Sequence, residues 1–451
     1  MATPSLQEES CTRIDPSGRA VQSEAARLRK LGELVAVEMP GGIKAWAPTR
    51  HKVLQSLLAD ERVSKDPQHW GAWRSGWIQE HPESQWISAW CGAHNMLTAY
   101  GPDHARLRKL VSPAFTTGRI KALRPSIQRI TAELITHLSG LPAGGAVDLR
   151  AQFAHPLPME VICNLYGLNE GERADVASLA ATIMDTSALQ STAIQALETA
   201  RAALTRLIAR KRAASDNDLT TALIDARDGQ DRLTEEELVD TLILVLVAGH
   251  ETTVNLIANA SIALLQHPDQ LALVLGGSVP WSAVIEETLR WAPPIANLPL
   301  RFAVEDIMVG GRTIRAGEAI LTTVSAVGWD PAQHGKSAAE FDIRRARSGH
   351  LAFGHGVHFC LGAPLARAEA SIALPALFAR FPNIELVNEG ALEPLPSFIT
   401  HGYRAATVFL DATAMSNPST LALPQCTRAA SSARSDPHQT PDEGPAEAAA
   451  A

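Results

Sequence analysis

The stretch that decides the fold is HLAFGHGVHFCLG, residues 350–362. It is a glycine-rich loop with a single thiol, Cys360, close to its end. The residues from Leu361 to Leu374 have helical periodicity, and Pro375 is expected to end or kink that helix. Cys360 is therefore predicted at a helix N-terminus, where free backbone N–H groups and the helix dipole favour a thiolate. The glycines allow tight turns and the close approach of a bulky, flat partner.

Three interpretations of this loop compete. In the simplest, it is a strand-to-helix turn with a chance cysteine. In the second, His355, His358 and Cys360 bind zinc, although their spacing is not that of a usual structural zinc site and no second cysteine is near. In the third, the Cys360 thiolate holds a haem iron. The rest of the chain has to decide between them.

Composition narrows the class of protein. The chain has 451 residues, of which 46% are hydrophobic, enough for a large core. Aromatic residues are few and Ala is abundant, which favours a mainly helical fold. The net charge of −8 argues against a nucleic-acid binder. The five cysteines are scattered and odd in number, which argues against a disulfide framework and for a reducing cytosol.

The ends of the chain differ in composition from its middle. Residues 1–20 are polar and mixed in charge, and we expect a flexible N-terminal segment there. Residues 412–451 are rich in Ala, Ser, Thr and Pro, which predicts a disordered tail. Residues 21–411 are expected to form one domain. The longest apolar run, Leu242 to Ala248, is too short to span a membrane, so we expect a soluble, cytoplasmic protein without membrane association.

A small β region and a tryptophan-rich segment are visible in the local patterns. Residues 32–47 predict a β-hairpin around a Pro-Gly-Gly turn, and residues 301–325 predict short strands. Residues 65–99 form a long irregular segment that holds five of the nine tryptophans. Loops this long are usually functional or disordered, and the tryptophans argue against disorder. Ordinary packing is the alternative for most of these side chains.

A long helix is predicted from the capping box Thr234–Glu237 to about Gln266. Its middle, residues 242–248, is apolar on all sides, so it must cross the protein interior. Glu251 and Thr252 follow, and an acid and a hydroxyl inside a buried helix cost free energy unless they function. The threonine can bond to a carbonyl one turn earlier and open a local groove. A kink that lets another helix pass is the alternative.

Two further pairs lie at helical spacing. His104 and Arg108 are four residues apart, so they share a helix face and suit an anionic partner such as a carboxylate. Glu287 and Arg290 are three residues apart in a helix predicted over residues 281–291, and they can pair on one face. Either pair alone is a weak signal, because exposed helices often carry such residues.

In chain order the four motifs are His104/Arg108, Glu251/Thr252, Glu287/Arg290 and the Cys360 loop. They resemble, in the same order, those of the cytochrome P450 family, whose haem-binding signature is similar to the loop around Cys360. The resemblance covers about residues 25 to 411. It implies a triangular, mainly α fold with a small β region, in which haem b lies between the long central helix and the helix after Cys360. The domain over residues 21–411 would then be a cytochrome P450 catalytic domain.

The resemblance also implies roles for individual residues. Cys360 is the axial ligand of the haem iron. Glu251 and Thr252 are catalytic, since the family's hydroxyl holds the bound oxygen species and a water chain while its acid passes protons inward. Glu287 and Arg290 stabilise the haem-side core. The residues expected to contact the cofactor are His104, Arg108, Ala248, Gly249, Arg301, Phe353, Gly354, His358, Cys360 and Gly362. Those expected to line the substrate pocket are Trp90, Asn95, Ile295, Asn297 and Leu298, with the loops at 65–99 and about 180–200.

Two departures from the family pattern are visible. The family often adds an arginine to the Glu287–Arg290 pair, but this chain has Glu340 at the expected place, and Arg344 or Arg345 could serve instead. Residues 327–331 read VGWDP where many bacterial members show Asn-Arg-Asp-Pro, so different local contacts are expected there.

The implied activity is that of a haem-thiolate monooxygenase. Such an enzyme activates O2 to hydroxylate an apolar small molecule or to oxidise it by epoxidation or by aryl or C–C coupling, here in natural-product metabolism. No flavin or nicotinamide motif is present, so a ferredoxin and an NAD(P)H-dependent ferredoxin reductase are implied as partners of a monomer. A basic docking patch is predicted at Arg106, Lys109, Arg344, Arg345, Arg347 and Arg367. The alternatives are a peroxide-driven haem-thiolate enzyme and a non-catalytic haem-binding or sensor protein, and the Glu251–Thr252 pair argues against both.

Overall fold

The structure is a computed structural model that describes residues 6–411 with the exception of 170, 174–175, 177–189, 228–230, 347–348, 389 and 391. The predicted tail at 412–451 and the predicted docking residue at 347 therefore lie outside the described residues. The described helices, in chain order, are α1 Val21–Leu31, α2 His51–Ala59, α3 Gly71–Arg74, α4 Trp77–Glu80, α5 Ser88–Cys91, α6 Gly101–Val111, α7 Thr117–Ser139, α8 Pro156–Tyr166, α9 Gln190–Ala213, α10 Leu219–Arg227, α11 Glu235–Gln266, α12 Pro268–Leu275, α13 Trp281–Trp291, α14 Val324–Gly328, α15 Pro331–His334 and α16 Ala363–Arg380.

The strands form a small β region beside the helices, as predicted. They are β1 Thr12–Arg13, β2 Leu34–Met39, β3 Ile43–Pro48, β4 Val63–Ser64, β5 Ala146–Asp148, β6 Leu298–Ala303, β7 Ile307–Val309, β8 Arg312–Ile314, β9 Ala319–Thr322, β10 Glu385–Leu386 and β11 Thr407–Phe409. The largest sheet has the order β1-β2-β3-β9-β6-β4. The predicted hairpin is confirmed as β2 and β3, which pair antiparallel from Leu34 opposite Pro48 to Met39 opposite Ile43.

The N-terminal segment is a correction to the sequence analysis. Residues 1–20 were predicted to be flexible, but within this segment Leu6 and residues 12–14 pack on the large sheet. Thr12 and Arg13 pair with β2, and the Leu6 side chain is only 2% exposed. The Leu6 N–H donates to Glu318 Oε1 at 2.7 Å. Two apolar residues, Leu6 and Ile14, anchor an otherwise polar stretch, which an average over its composition does not reveal.

The tryptophan-rich segment contains short helices, α3 to α5, and packs against the large sheet. Trp70 is buried and stacks on Phe302 of β6 with ring centroids 5.3 Å apart. The five tryptophans of the segment all belong to or pack against one hydrophobic cluster with residues of the sheet. Ordinary packing therefore accounts for much of this aromatic surface.

The long helix α11 confirms the predicted start and end. The Glu237 N–H donates to Thr234 Oγ1 at 3.1 Å, and the Thr234 N–H donates to Glu237 Oε2 at 2.7 Å, which is the capping box. α11 packs against α8, α13 and α16 in the centre of the largest hydrophobic cluster. By length and composition α11 could cross a membrane, but 61% of its most apolar window is buried inside the protein, as in a core helix.

The helix after the Cys loop is longer than predicted. Pro375 was expected to end or kink it, but α16 continues to Arg380. Proline inside a helix costs about 3 kcal/mol. Leu374, Leu377 and Phe378 are fully buried around it, and burying each such side chain contributes about 2 kcal/mol. Packing of this face therefore outweighs the missing backbone hydrogen bond.

A buried ion cluster fixes the segment that leads into the Cys loop. Arg290 donates to Glu287 through Nε at 2.8 Å and Nη2 at 2.7 Å. Arg345 Nε lies 3.2 Å from Glu287 Oε1, so Arg345 and not Arg344 is the third member of the cluster. Arg345 also donates to the carbonyl oxygens of His334, Ser337 and Glu340 at 2.8–3.0 Å. Its side chain is 10% exposed, which removes it from the predicted docking patch.

The VGWDP departure has a steric reason at Gly328. A Cβ atom on Gly328 would lie 2.3 Å from the Arg290 carbonyl oxygen. The Gly328 carbonyl oxygen accepts a hydrogen bond from Arg290 Nη1 at 2.7 Å. This close approach leaves no room for a larger residue at position 328 on the same backbone.

Replacing Arg345 by Gln is expected to lower the apparent free energy of unfolding by about 3 kcal/mol, because Glu287 would lose one of its two cations in a buried site. The matched control is Arg344→Gln, since the neighbouring Arg344 side chain is 65% exposed and pairs with Asp342. The control is expected to change stability by at most about 0.5 kcal/mol. Urea denaturation of the haem-bound protein measures both, and equal losses would contradict the assignment.

Candidate active site

Backbone geometry shapes the Cys loop. The Cys360 N–H donates to the Phe353 carbonyl oxygen at 2.9 Å, which closes the loop on itself. Gly354 and Gly356 have φ angles of 72° and 70°, a region that favours glycine. A Cβ on Gly356 would lie 2.6 Å from the Leu58 carbonyl oxygen. The backbone therefore favours glycine at positions 354 and 356, and the close approach of Leu58 leaves no room for a side chain at position 356.

Cys360 is solvent-accessible although it lies deep in the protein. Burial raises the pKa of its thiol, and the N–H groups of Gly362 and Ala363 and the charges of Arg108 and Arg367 oppose that rise. The groups predicted to stabilise a thiolate are thus present, although the helix α16 itself begins only at Ala363. In the absence of a metal ion, burial raises the Cys360 pKa by more than these groups lower it. A bound metal deprotonates a coordinating thiol outright. Among the described residues, no group of three or more His, Cys, Asp or Glu side chains could hold a metal ion, so the zinc interpretation gains no support.

Four predicted cofactor residues converge beside the loop. The rings of His104 and His358 have centroids 4.0 Å apart. Arg108 Nη2 donates to the Phe359 carbonyl oxygen at 2.8 Å. His104 Nε2 and Arg301 Nε are buried and have no hydrogen-bond partner. Burial lowers the pKa of Arg301 to about 10.

Arg108 and Arg301 carry positive charge that no carboxylate of the described residues compensates. Burial, followed by the charge of Arg301, lowers the pKa of His358 to about 2. No ion pair links His104, Arg108, Arg301 or His358 to a carboxylate of the described part of the chain. Buried cations without a counter-charge cost several kcal/mol. The arrangement therefore suits a ligand that brings its own carboxylates.

One face of α11 is open although the helix is central to the core. Ala248 is exposed, and Leu244 and Thr252, one turn away on either side, are half-buried. These three positions share a face. Thr252 Oγ1 donates to the Ala248 carbonyl oxygen at 2.6 Å, as the sequence predicted. A Cβ on Gly249 would lie 3.3 Å from Ile162 Cδ1, so Gly249 also allows the close packing of α8.

Glu251 points into a buried ion pair that the sequence analysis missed. Arg150 Nη2 donates to Glu251 Oε1 at 2.5 Å, and Arg150 Nε donates to the Tyr403 carbonyl oxygen at 2.8 Å. Arg150 begins a π-helical turn, Arg150–Ala154. Burial raises the pKa of Glu251, and the Arg150 charge lowers it. The pairing joins segments a hundred residues apart, so no local sequence signal could have found it.

The predicted pocket residues fall in two groups. Ile295, Asn297 and Leu298 lie together beside residues 397–400, where Asn297 Nδ2 donates to the Phe398 carbonyl oxygen at 2.7 Å. Trp90 packs against the cluster that contains Phe398. Asn95 is buried, and its Oδ1 accepts the Leu97 N–H at 2.9 Å, which indicates a structural role. Residues 180–189 of the second predicted loop lie outside the described residues.

The fold and this site define a haem-thiolate protein: a cysteine at the exit of a glycine-rich loop, unpaired cations beside it, and a polar break in the central helix. The family model "Cytochrome P450" matches residues 180–274 and 281–400. The chain belongs to the cytochrome P450 family.

Several relatives are similar over most of their length. A 2-hydroxy-5-methyl-1-naphthoate 7-hydroxylase from Streptomyces carzinostaticus is 40% identical over 401 residues, which are 88% of this chain and 97% of the relative. The structure of CYP154A1 from Streptomyces coelicolor is 44% identical with a TM-score of 0.82, covering 89% of this chain and 100% of that one. A testosterone-bound CYP154C4 from a Streptomyces species is 41% identical with a TM-score of 0.85, covering 89% and 99%.

The protein is thus a cytochrome P450 monooxygenase that binds haem b through a cysteine thiolate and acts in natural-product metabolism. The residues present fit that cofactor. Haem carries two propionate carboxylates, which are the anions that the unpaired His104 and Arg301 groups lack. In this fold the haem lies between the long helix and the helix after the Cys loop, here α11 and α16.

Replacing Arg150 by Gln is expected to raise the pKa of Glu251, because the cation that favours its carboxylate is lost. Glu251 would keep its proton to higher pH. The pH above which product formed per reducing equivalent declines should therefore rise by about one unit. Arg129→Gln is the control, since Arg129 forms an exposed ion pair with Glu133. An unchanged pH profile for Arg150→Gln would show that Glu251 does not supply the proton.

Proposed function

We propose that this enzyme transfers one oxygen atom of O2 to a C–H bond of an apolar, ring-containing molecule, with Cys360 as the axial ligand of the haem iron. The balanced reaction consumes the substrate, O2, two electrons and two protons, and yields the alcohol and water. The observation that carries the residue assignment is the pair of buried donors without a partner beside the Cys360 loop, Arg301 Nε and His104 Nε2. A chance cysteine in an ordinary turn would not need them.

Haem, when bound, supplies the activation of O2, and its thiolate ligand favours cleavage of the O–O bond. The protein stabilises the charges of the thiolate and of the cofactor carboxylates. Arg108 and Arg367 and the N–H groups of Gly362 and Ala363 stabilise the negative charge on Cys360 Sγ. Arg301 and His104 bind the carboxylates of the cofactor. These contacts orient the cofactor before any substrate binds.

Protons reach the site along α11. Thr252 Oγ1 donates to Ala248 O at 2.6 Å, so the hydroxyl oxygen can accept a hydrogen bond from water, and the small Ala248 leaves space for that water. Burial raises the pKa of the Glu251 carboxyl group, and the charge of Arg150 opposes that rise. Arg150 Nη2 holds this carboxyl group by a hydrogen bond of 2.5 Å. Glu251 and Thr252 therefore deliver protons to the site without admitting bulk water.

The substrate class follows from the relatives and from the lining. One relative acts on a hydroxylated naphthoate and another binds testosterone, so both handle fused rings. The open face of α11 presents Leu244 and Ala248, and the predicted pocket residues Ile295 and Leu298 are half-buried. An apolar lining of this kind suits a fused-ring or similarly rigid molecule. Hydroxylation is the reaction we assign.

The electrons come from redox partners, which the family requires in general. We assign a ferredoxin and an NAD(P)H-dependent ferredoxin reductase, acting in the cytoplasm. Val357 is 69% exposed and Phe359 42% exposed next to Cys360. Arg108 donates to the Phe359 carbonyl oxygen, and the exposed Lys109 follows it in α6. An apolar centre with basic neighbours suits an acidic electron-transfer protein.

The test is reconstitution with ferredoxin, its reductase, NADPH and isotopically labelled dioxygen. Testosterone and a hydroxynaphthoate are the probes. The labelled oxygen is expected in the product of the wild-type protein. Thr252→Ala should consume NADPH at a similar rate but lose most of its product, at least about tenfold, because protons are misdirected.

The matched control for that variant is Thr136→Ala. Thr136 makes the same bond to a carbonyl one turn earlier, at 2.8 Å, but on the surface of α7. Product that forms with peroxide alone and carries no label from dioxygen would favour the peroxide-driven alternative. Probe binding without any product under either condition would favour a sensor.

A further inference from the structure

Lys65 follows β4 and lies close to Arg301 of β6 in the large sheet. β4 and β6 are antiparallel, with Val63 opposite Ala303 and Ser64 opposite Phe302. β4 ends at Ser64, and continuing the same register by one residue sets Lys65 against Arg301. Residues opposite each other on antiparallel strands project from the same face with Cβ atoms about 5 Å apart. The chain therefore places two cations side by side.

Both cations are withdrawn from water. Lys65 is 3% exposed and Arg301 is 5% exposed. Burial, and then the charge of Arg301, lowers the pKa of Lys65 to about 7. Burying like charges opposite each other on a sheet is destabilising. A negatively charged group is therefore needed to compensate the charges of Lys65 and Arg301.

The described part of the chain supplies no such group. No carboxylate among the described residues forms an ion pair with Lys65 or Arg301, and Arg301 Nε has no partner at all. A thiolate at Cys91 would stabilise the Lys65 charge. Burial raises the pKa of Cys91 to about 11, however, so this thiol is neutral. Asp66, the next residue, turns away to accept the Gln68 N–H at 2.8 Å.

The pair faces the Cys loop. The charges of Arg301 and Lys65 both act on His358, two residues before Cys360. Arg301 also acts on His104, whose Nε2 is buried and unpartnered. Arg301 Nε and His104 Nε2, which have no partner, and the charge of Lys65 are thus all close to His358.

We propose that Lys65 and Arg301 together clamp one carboxylate at the edge of the active site. Arg301 supplies planar donors and Lys65 a point charge, which fits one carboxylate with two oxygens. The carboxylate belongs either to the haem, as a propionate, or to a bound substrate. This inference rests on the proposed function, because it takes the ligand set around Cys360 as a haem site.

The test uses Lys65→Met, which keeps the length of the side chain and removes its charge. The control is Lys52→Met, at an exposed lysine of α2. Both variants are measured only as holoprotein whose reduced carbon monoxide complex is spectrally the same as that of the wild type, so a failed haem assignment is recognised separately. Lys65→Arg should retain wild-type behaviour.

Two readouts separate the sources of the carboxylate. The first is the rate of haem transfer to excess apomyoglobin, and the second is the spectral dissociation constant of 1-naphthoate against that of the neutral 1-naphthalenemethanol. Roughly tenfold faster haem transfer in Lys65→Met identifies the propionate. Unchanged haem transfer with naphthoate binding weakened about tenfold more than alcohol binding identifies the substrate. If neither quantity differs from the Lys52→Met control, the clamp does not exist.

Discussion

Uncompensated charge in a buried site is the constraint on which the rest of this structure depends. Burial raises the pKa of the Cys360 thiol, and beside it lie Arg301 and His104 with buried donors that have no partner. Neither condition is favourable in the protein alone. A ligand that brings a metal for the sulfur and carboxylates for the cations resolves both at once, and haem b does so.

The central helix α11 serves two purposes that conflict. It has to be apolar to cross the core, and it has to hold an acid and a hydroxyl next to the reaction. The chain reconciles them by pairing Glu251 with Arg150 at 2.5 Å and by bonding Thr252 back to Ala248 at 2.6 Å. Both polar groups are thereby satisfied within the fold.

Sequence reasoning succeeded where the physics is local and failed where it is not. The capping box at Thr234 is a contact between residues three apart, and it is present as predicted. The Arg150–Glu251 pair and the register that sets Lys65 against Arg301 join segments more than a hundred residues apart. Only the folded chain reveals such pairs. Pro375 is a further example. Its low helical propensity predicted the end of the helix, but tertiary packing keeps α16 helical beyond it.

The measurement that tests the account most directly is the absorption spectrum of the purified, reduced protein with carbon monoxide. The account predicts a Soret band shifted far to the red, as given by haem with an axial thiolate, and the loss of that shift in Cys360→His. A wild-type Soret band at the position of ordinary histidine-ligated haem proteins would contradict it, because Cys360 would then not be the ligand around which the site is built.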